Sequence, residues 1–160
     1  GLFSFHSTQS NILFSVERGI VMERVLKGRT ARYELCGNVL IIVPFKELDH
    51  CCAVDVREEA DSLIEKSGAL HLLFDFSEIS FMDSSGIGVI MGRYKKVIFQ
   101  GGNIACCGVG TEIDRILTLS GLYRIMPRFE ERREAVLALG GRCVGKQTAG
   151  KDVCGEANIL

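Results

Sequence analysis

The stretch FDFSEISFMDSSGIGVIMGRYKKV, residues 74–97, contains the junction that decides the fold. It begins inside the apolar run LHLLFDF, residues 70–76, which is typical of a strand buried on both faces. After MDSSGIG, apolar residues recur at intervals of three and four, which predicts an amphipathic helix over residues 85–99. The predicted core-facing residues are Ile87, Ile90, Met91, Tyr94 and Ile98, with Arg93, Lys95 and Lys96 outside. Two serines and two glycines therefore occupy a turn between a strand and a helix.

The same alternation of strand and helix extends along most of the chain. ARYELC and VLIIVPF are joined by Gly37-Asn38, a two-residue hairpin signal. The next segment is a predicted helix, with Asp49 as its N-cap and Gly68 just after its end. NIACC then predicts a strand, TEIDRILTLSG a helix capped by Thr111 and stopped by Gly121, RIMPRF an edge strand, and EERREAVLALG a last helix. This order predicts an α/β domain with a small mixed, mostly parallel sheet packed with about four helices.

We predict a single domain at residues 30–139. The segment 1–29 mixes apolar residues with Ser, His, Gln and Asn, and its first methionine is Met22, so we predict a poorly ordered N-terminal extension. The composition changes after Leu139, and residues 140–160 are rich in glycine without any period. They are predicted to form a flexible tail.

Composition and charge exclude several classes of protein. The chain has 160 residues and a formal net charge of -1, which does not favour nucleic acid as a partner. No apolar run approaches the roughly 20 residues that span a bilayer, so no membrane association is expected. The seven cysteines form no C-x-x-C pair, which favours reduced core residues in a cytoplasmic protein over a disulfide framework or a zinc site. We therefore expect no metal.

The motifs for catalysis and phosphate binding are incomplete. An esterase-type elbow needs glycine two residues before the serine, where Ser84 has Met82 and Ser85 has Asp83. The nearest phosphate-loop match, GGRCVGKQ at residues 140–147, ends in Gln147 instead of Ser or Thr and follows a helix. No catalytic residues and no cofactor are therefore expected, and a nucleotide-binding module stays a distant alternative.

Two interpretations of Asp83-Ser84-Ser85 remain open from the residues alone. Ser and Asp at a helix start cap its unpaired N–H groups, which is a purely structural role. A hydroxyl at a helix N-terminus is also suited to carry a phosphate, because the N–H groups and the helix dipole favour negative charge.

The junction also carries a family resemblance. FDFSEISFMDSSGIGVIMGRYKKV, together with ELDH at residues 47–50 and GGNIACCGVGTEIDRILTLSGLYRI downstream, closely resembles the anti-sigma factor antagonists, which are single STAS domains. The resemblance covers about residues 33–139, and FMDSSGIGVIMGRYK resembles the sporulation type in particular. Two departures are Lys46, where the family has glycine, and Cys51, where it has His or Ser.

The resemblance implies a regulator of transcription without catalytic activity. It implies that the unphosphorylated protein binds an anti-sigma factor that is also a serine kinase, and thereby releases a sigma factor. The kinase then phosphorylates Ser84, with Ser85 as the alternative acceptor, and a serine phosphatase reverses this partner switching. The implied partner-binding residues are Asp49, Asp83, Ser85, Gly86 and Ile87. A STAS interaction module of a stress-response pathway is the nearest alternative.

We expect the two glycines of the turn, Gly86 and Gly88, to leave room for the kinase's nucleotide site. Asp83 is expected to shape the turn and not to act as a general base.

Overall fold

The computed structural model describes residues 2–4, 12–17 and 20–140, with side chains from residue 25 onward. The strands of this described part form one sheet whose spatial order follows the chain. They are β1 (Leu2–Ser4), β2 (Ile12–Glu17), β3 (Ile20–Lys27), β4 (Ala31–Cys36), β5 (Val39–Pro44), β6 (His71–Asp75), β7 (Ile104–Cys107) and β8 (Arg128–Phe129). The helices are α1 (His50–Ser67), α2 (Ser84–Phe99), α3 (Thr111–Ser120) and α4 (Arg132–Ala138), with a 3₁₀ turn at Leu122–Arg124.

The sheet changes from antiparallel to parallel at β5. β1 to β5 pair antiparallel, and the predicted hairpin is confirmed with Cys36 opposite Val39 and Gly37 at φ 60°. From β5 onward each neighbour is parallel and is reached through a helix. The fold class expected from the sequence, a mixed α/β sheet with four helices, is confirmed.

Helix α1 begins and ends where the capping residues predict. The Asp49 side chain accepts a hydrogen bond from the Cys52 N–H at 2.9 Å. Gly68 has left-handed backbone angles, and its N–H donates to the Ile64 carbonyl. Such a cap satisfies a carbonyl that the helix itself leaves unpaired. The buried face of α1 carries Ala53, Val56, Ala60 and Ile64.

The apolar core has two parts, one on each face of the sheet. Buried residues of α1, α2 and α3 pack against one face, which includes Leu40, Ile42, Leu72 and Phe74. α4 packs against the other face, beside Ile41 and Leu73. Sequential parallel strands joined by right-handed crossovers place their helices on one side, which explains why α1 to α3 lie together.

Two assignments on α2 were wrong. Arg93, predicted to face outward, is only 6% exposed, while Ile98, predicted to face the core, is 44% exposed. The reason is that α1 packs alongside α2, so the row Val89, Arg93 and Val97 faces inward. Arg93 tolerates this position because its Nε lies 2.9 Å from the Asp61 carboxylate of α1.

Two smaller predictions also need correction. Thr111 is the first residue of α3 and not its cap; Gly110 precedes it, without a side-chain hydrogen bond. The predicted edge strand RIMPRF is reduced to β8, because the chain makes the 3₁₀ turn at Leu122–Arg124 before it reaches the sheet.

The strands β1 to β3 lie within the segment 1–29 that we predicted as a poorly ordered extension. β3 pairs with β4, so the sheet begins before residue 30. The division into extension, domain and tail stays a prediction, and the predicted tail, apart from Gly140, lies outside the described residues.

Candidate functional site

The loops that precede α1 and α2 are joined to each other at the ends of β5 and β6. Leu48 and Met82 form a parallel β-bridge. The Leu48 N–H donates to the Phe81 carbonyl at 3.2 Å, and the Asp83 N–H donates to the Leu48 carbonyl at 3.4 Å. Leu48 and Met82 are both buried, so the bridge is anchored in the core. We call these two loops, residues 46–49 and 81–83, together with the first turns of α1 and α2, the acceptor edge.

Asp83 caps α2. Its Oδ1 accepts a hydrogen bond from the Ser85 N–H at 2.7 Å. Its backbone carbonyl accepts from Gly86 at 3.1 Å and from Ile87 at 3.3 Å. The capping role considered for this turn is therefore confirmed for Asp83, and it leaves the two serine hydroxyls for other uses.

The two serines differ in exposure. Ser84 is the first residue of α2 and is exposed, whereas Ser85 is half-buried. A group added to the Ser84 hydroxyl would reach solvent at a helix N-terminus, where unpaired N–H groups and the helix dipole stabilise an anion.

Asp49, which is the N-cap of α1, lies on the same acceptor edge. The hydrogen bond from the Cys52 backbone N–H holds the pKa of Asp49 below its usual value. This carboxylate is therefore ionised at neutral pH. Because Asp49 and Asp83 follow the bridged residues Leu48 and Met82, the acceptor edge carries a carboxylate on each loop.

The two glycines of the turn have different surroundings. Gly86 is buried, and a Cβ there would lie 2.8 Å from the Leu48 carbonyl oxygen and 3.0 Å from Met82 Cβ. Gly88 is exposed, and a Cβ there would meet nothing within 4 Å. Gly86 therefore serves the contact between α2 and the Leu48 loop, while the surface at Gly88 is open. That these glycines leave room for a partner stays a prediction.

Ile87 and Phe81 complete the apolar part of the acceptor edge. Ile87 is half-buried and packs against the core, so only part of its side chain is available to a partner. Phe81 is 46% exposed. We did not single it out from the sequence; the available signal was an aromatic residue in the loop just before the cap.

The described residues offer few groups for metal binding or for thiol chemistry. Residues 25–140 contain no group of three or more His, Cys, Asp or Glu side chains that could hold a metal ion. Cys106 and Cys107 are buried core residues, and burial raises the pKa of each thiol to about 12. The phosphate-loop match at residues 140–147 lies, apart from Gly140, outside the described residues.

Within the described chain, none of the helices combines the length and the apolar character needed to cross a membrane.

Comparison with known proteins identifies the class. The profile of the STAS domain matches residues 31–135. An anti-sigma F factor antagonist of Paenibacillus polymyxa is 40% identical over 102 residues, 64% of this chain and 87% of that protein. An anti-sigma-B factor antagonist of Bacillus subtilis is 31% identical over 80 residues, 50% of this chain and 72% of that protein.

Solved structures have the same fold. The anti-sigma factor antagonist SpoIIAA in its unphosphorylated form has a TM-score of 0.61 at 24% identity, covering 69% of this chain and 96% of that one. The Bacillus cell fate determinant SpoIIAA in the phosphorylated form has a TM-score of 0.55 at 25% identity, covering 66% and 96%.

The fold and the matched profile define a STAS domain, and the chain belongs to that family. Its relatives within the family are anti-sigma factor antagonists, so the resemblance stated from the sequence is confirmed. These relatives are named as regulators and not as enzymes.

Proposed function

We propose that this protein is an anti-sigma factor antagonist that is switched off by phosphorylation of Ser84. In the unphosphorylated state it binds an anti-sigma factor with serine kinase activity and thereby frees a sigma factor. The kinase transfers a phosphoryl group to Ser84, the complex dissociates, and a serine phosphatase restores the binding form. The protein acts in the cytoplasm, and it has no catalytic activity of its own.

One observation carries the proposal: Ser84 is the exposed first residue of a helix whose cap is already provided by Asp83. Its hydroxyl is not needed to hold the turn together. Ser85 is half-buried, so a kinase has easier access to Ser84. The existence of a phosphorylated form of the structural relative SpoIIAA also supports a phosphate in this family.

The acceptor edge explains how one phosphate could change the affinity for the partner. A phosphoserine at position 84 adds nearly two negative charges at neutral pH, next to Asp83 in the chain and on the edge that also carries the Asp49 carboxylate. A partner that docks on two carboxylates would have to dehydrate a third anion as well, which costs several kcal/mol when no cation matches it. Moving an equilibrium from mostly bound to mostly free takes about 5.5 kcal/mol, so one phosphate is of the required size.

The proposal gives the chemical step to the partner. His71 is buried in β6 and accepts a hydrogen bond from the Asn103 N–H, and His50, the exposed first residue of α1, makes no hydrogen bond to Ser84 in the described structure. The Asp83 carboxylate accepts a hydrogen bond from the Ser85 N–H through its Oδ1. In this proposal the kinase supplies both the nucleotide and the group that accepts the hydroxyl proton.

A second candidate is an antagonist in a stress-response pathway. It is favoured by the relative that acts as an anti-sigma-B factor antagonist. The sporulation type is preferred, because the anti-sigma F factor antagonist is the more similar of these two relatives, at 40% against 31% identity. Titration against an anti-sigma F and an anti-sigma-B factor separates the two candidates.

The proposal is tested by calorimetric titration of the unphosphorylated protein with an anti-sigma F factor. A non-hydrolysable ATP analogue is present, so that no phosphoryl transfer takes place during the titration. We expect tight binding of the wild type and binding weakened by at least about a hundredfold for Ser84→Asp. Ser120→Asp, at the exposed end of α3, is the matched control and should bind like the wild type. Equal affinity of Ser84→Asp and wild type would contradict the electrostatic account.

A further inference from the structure

Phe81 is an exposed aromatic ring on a fixed loop. Phe81 is 46% exposed, although Ile79, two residues before it, and Met82, directly after it, are buried. Its backbone carbonyl accepts the hydrogen bond from Leu48, which belongs to the other loop of the acceptor edge. The exposure of the ring is therefore a property of the folded loop.

The position of Phe81 distinguishes it from three of the four other large exposed hydrophobic residues of the described chain. The large exposed hydrophobic residues are Val54, Phe81, Ile98, Phe99 and Leu119. Ile98 and Phe99 lie at the end of α2 and Leu119 near the end of α3, far from the helix starts, whereas Val54 is the fifth residue of α1. Phe81 lies three residues before Ser84. It directly precedes Met82, which forms the β-bridge with Leu48.

We propose that Phe81 is the apolar anchor of the contact with the anti-sigma factor. This inference rests on the proposed function, because it takes that kinase as the occupant. A protein that brings a nucleotide to the Ser84 hydroxyl approaches the chain three residues from Phe81, whose ring is partly exposed.

The physical properties of Phe81 suit an anchor. A preorganised aromatic ring loses little conformational entropy on binding, and aromatic residues are enriched among those that dominate interface affinity. The surrounding acceptor edge is polar, with Asp49 and Asp83 capping the two helices. The ring would thus supply apolar contact, while the charged and phosphorylatable groups of the same edge supply the switch.

The test compares Phe81→Ala with its matched control Phe99→Ala, the substitution of a 93% exposed phenylalanine at the other end of the helix that begins at Ser84. Affinity for the anti-sigma F factor is measured by calorimetry, and initial rates of Ser84 phosphorylation are measured against antagonist concentration. We expect Phe81→Ala to weaken binding at least about tenfold and to raise KM with little change in kcat, because the ring binds but does not react. Phe81→Leu should recover part of the affinity, and Phe99→Ala should bind like the wild type.

Three results would overturn the inference. One is wild-type affinity of Phe81→Ala while Ser84→Asp still weakens binding, which would leave the proposed function intact. Another is an equal loss of affinity with Phe99→Ala. The third is a wild-type dimer in sedimentation that Phe81→Ala dissociates, since the ring would then serve a second copy. If the wild type itself does not bind the anti-sigma factor, the proposed function fails together with the inference.

Discussion

Gly86, in the first turn of α2, packs directly against the backbone carbonyl of Leu48, in the loop before α1. A Cβ at position 86 would lie 2.8 Å from that oxygen, closer than real Cβ atoms approach. This contact and the Leu48–Met82 bridge join the two loops that carry the caps Asp49 and Asp83. The two loops of the acceptor edge are therefore packed and hydrogen-bonded to each other.

The first prediction compares the two glycines of the turn. Gly86→Ala should lower the free energy of unfolding by about 1–3 kcal/mol, because the added methyl group must displace the Leu48 loop. Gly88→Ala meets open space, so it should stabilise α2 by up to about 1 kcal/mol. Urea unfolding followed by circular dichroism measures both. Equal destabilisation by the two variants would refute the packing role of Gly86.

The second prediction concerns the cap of α2. Asp83→Ala removes the acceptor for the Ser85 N–H and should cost about 1 kcal/mol of stability. The control is Glu131→Ala, because Glu131 precedes α4 without making a side-chain cap hydrogen bond. Its unfolding free energy should stay within about 0.5 kcal/mol of the wild type. A cap role for Asp83 would be refuted by equal effects in the two urea titrations.

The third prediction concerns the ion pair between α1 and α2. Arg93 is buried, and its Nε contacts the Asp61 carboxylate at 2.9 Å, with burial lowering the pKa of the guanidinium. Removing Asp61 leaves that buried charge without its counter-ion, whereas replacing Arg93 by methionine removes the charge itself. Asp61→Ala should therefore be less stable than Arg93→Met by at least about 1 kcal/mol. Thermal unfolding of the two variants gives the order, and the reverse order would contradict a buried, charge-dependent contact.

The fourth prediction is a pH dependence of stability at the end of β6. Burial alone would raise the pKa of Asp75, but hydrogen bonds from the Ser77 N–H and the Arg132 guanidinium outweigh it and hold the pKa below 3.8. A carboxyl with a lowered folded-state pKa stabilises the protein above its unfolded pKa, and this stabilisation is lost as the pH falls through the folded pKa.

Wild-type stability should therefore fall more steeply than that of Arg132→Met between about pH 5 and pH 2. Urea midpoints measured across this range provide the check. Parallel pH profiles of the two proteins would show that the Arg132–Asp75 contact does not set the pKa of Asp75.

Much of the fold was predictable because its signals are local. The hairpin at Gly37-Asn38 and the helix limits at Asp49, Gly68 and Gly121 depend on residues next to each other in the chain, and all are confirmed. The burial of Arg93 was not predictable, because its counter-ion Asp61 belongs to a different helix.

The residues proposed for the candidate site came from the sequence, but their packing could not be predicted from it. The capping role of Asp83 followed from its position, and the resemblance pointed to Ser84. The role of Gly86 could not be predicted, since it depends on the contact with Leu48 across two loops. Phe81 was missed because alternating and helical patterns assign no exposure to a residue in a loop.

The central claim, that Ser84 receives the phosphate which switches the partner, is tested most directly by incubation with an anti-sigma F factor and ATP, followed by intact mass spectrometry. We predict that the wild type and Ser85→Ala gain one phosphate and lose affinity for the anti-sigma factor, while Ser84→Ala gains none and stays bound. Labelling of Ser84→Ala together with an unlabelled Ser85→Ala would contradict the account, as would a phosphorylated wild type that remains bound.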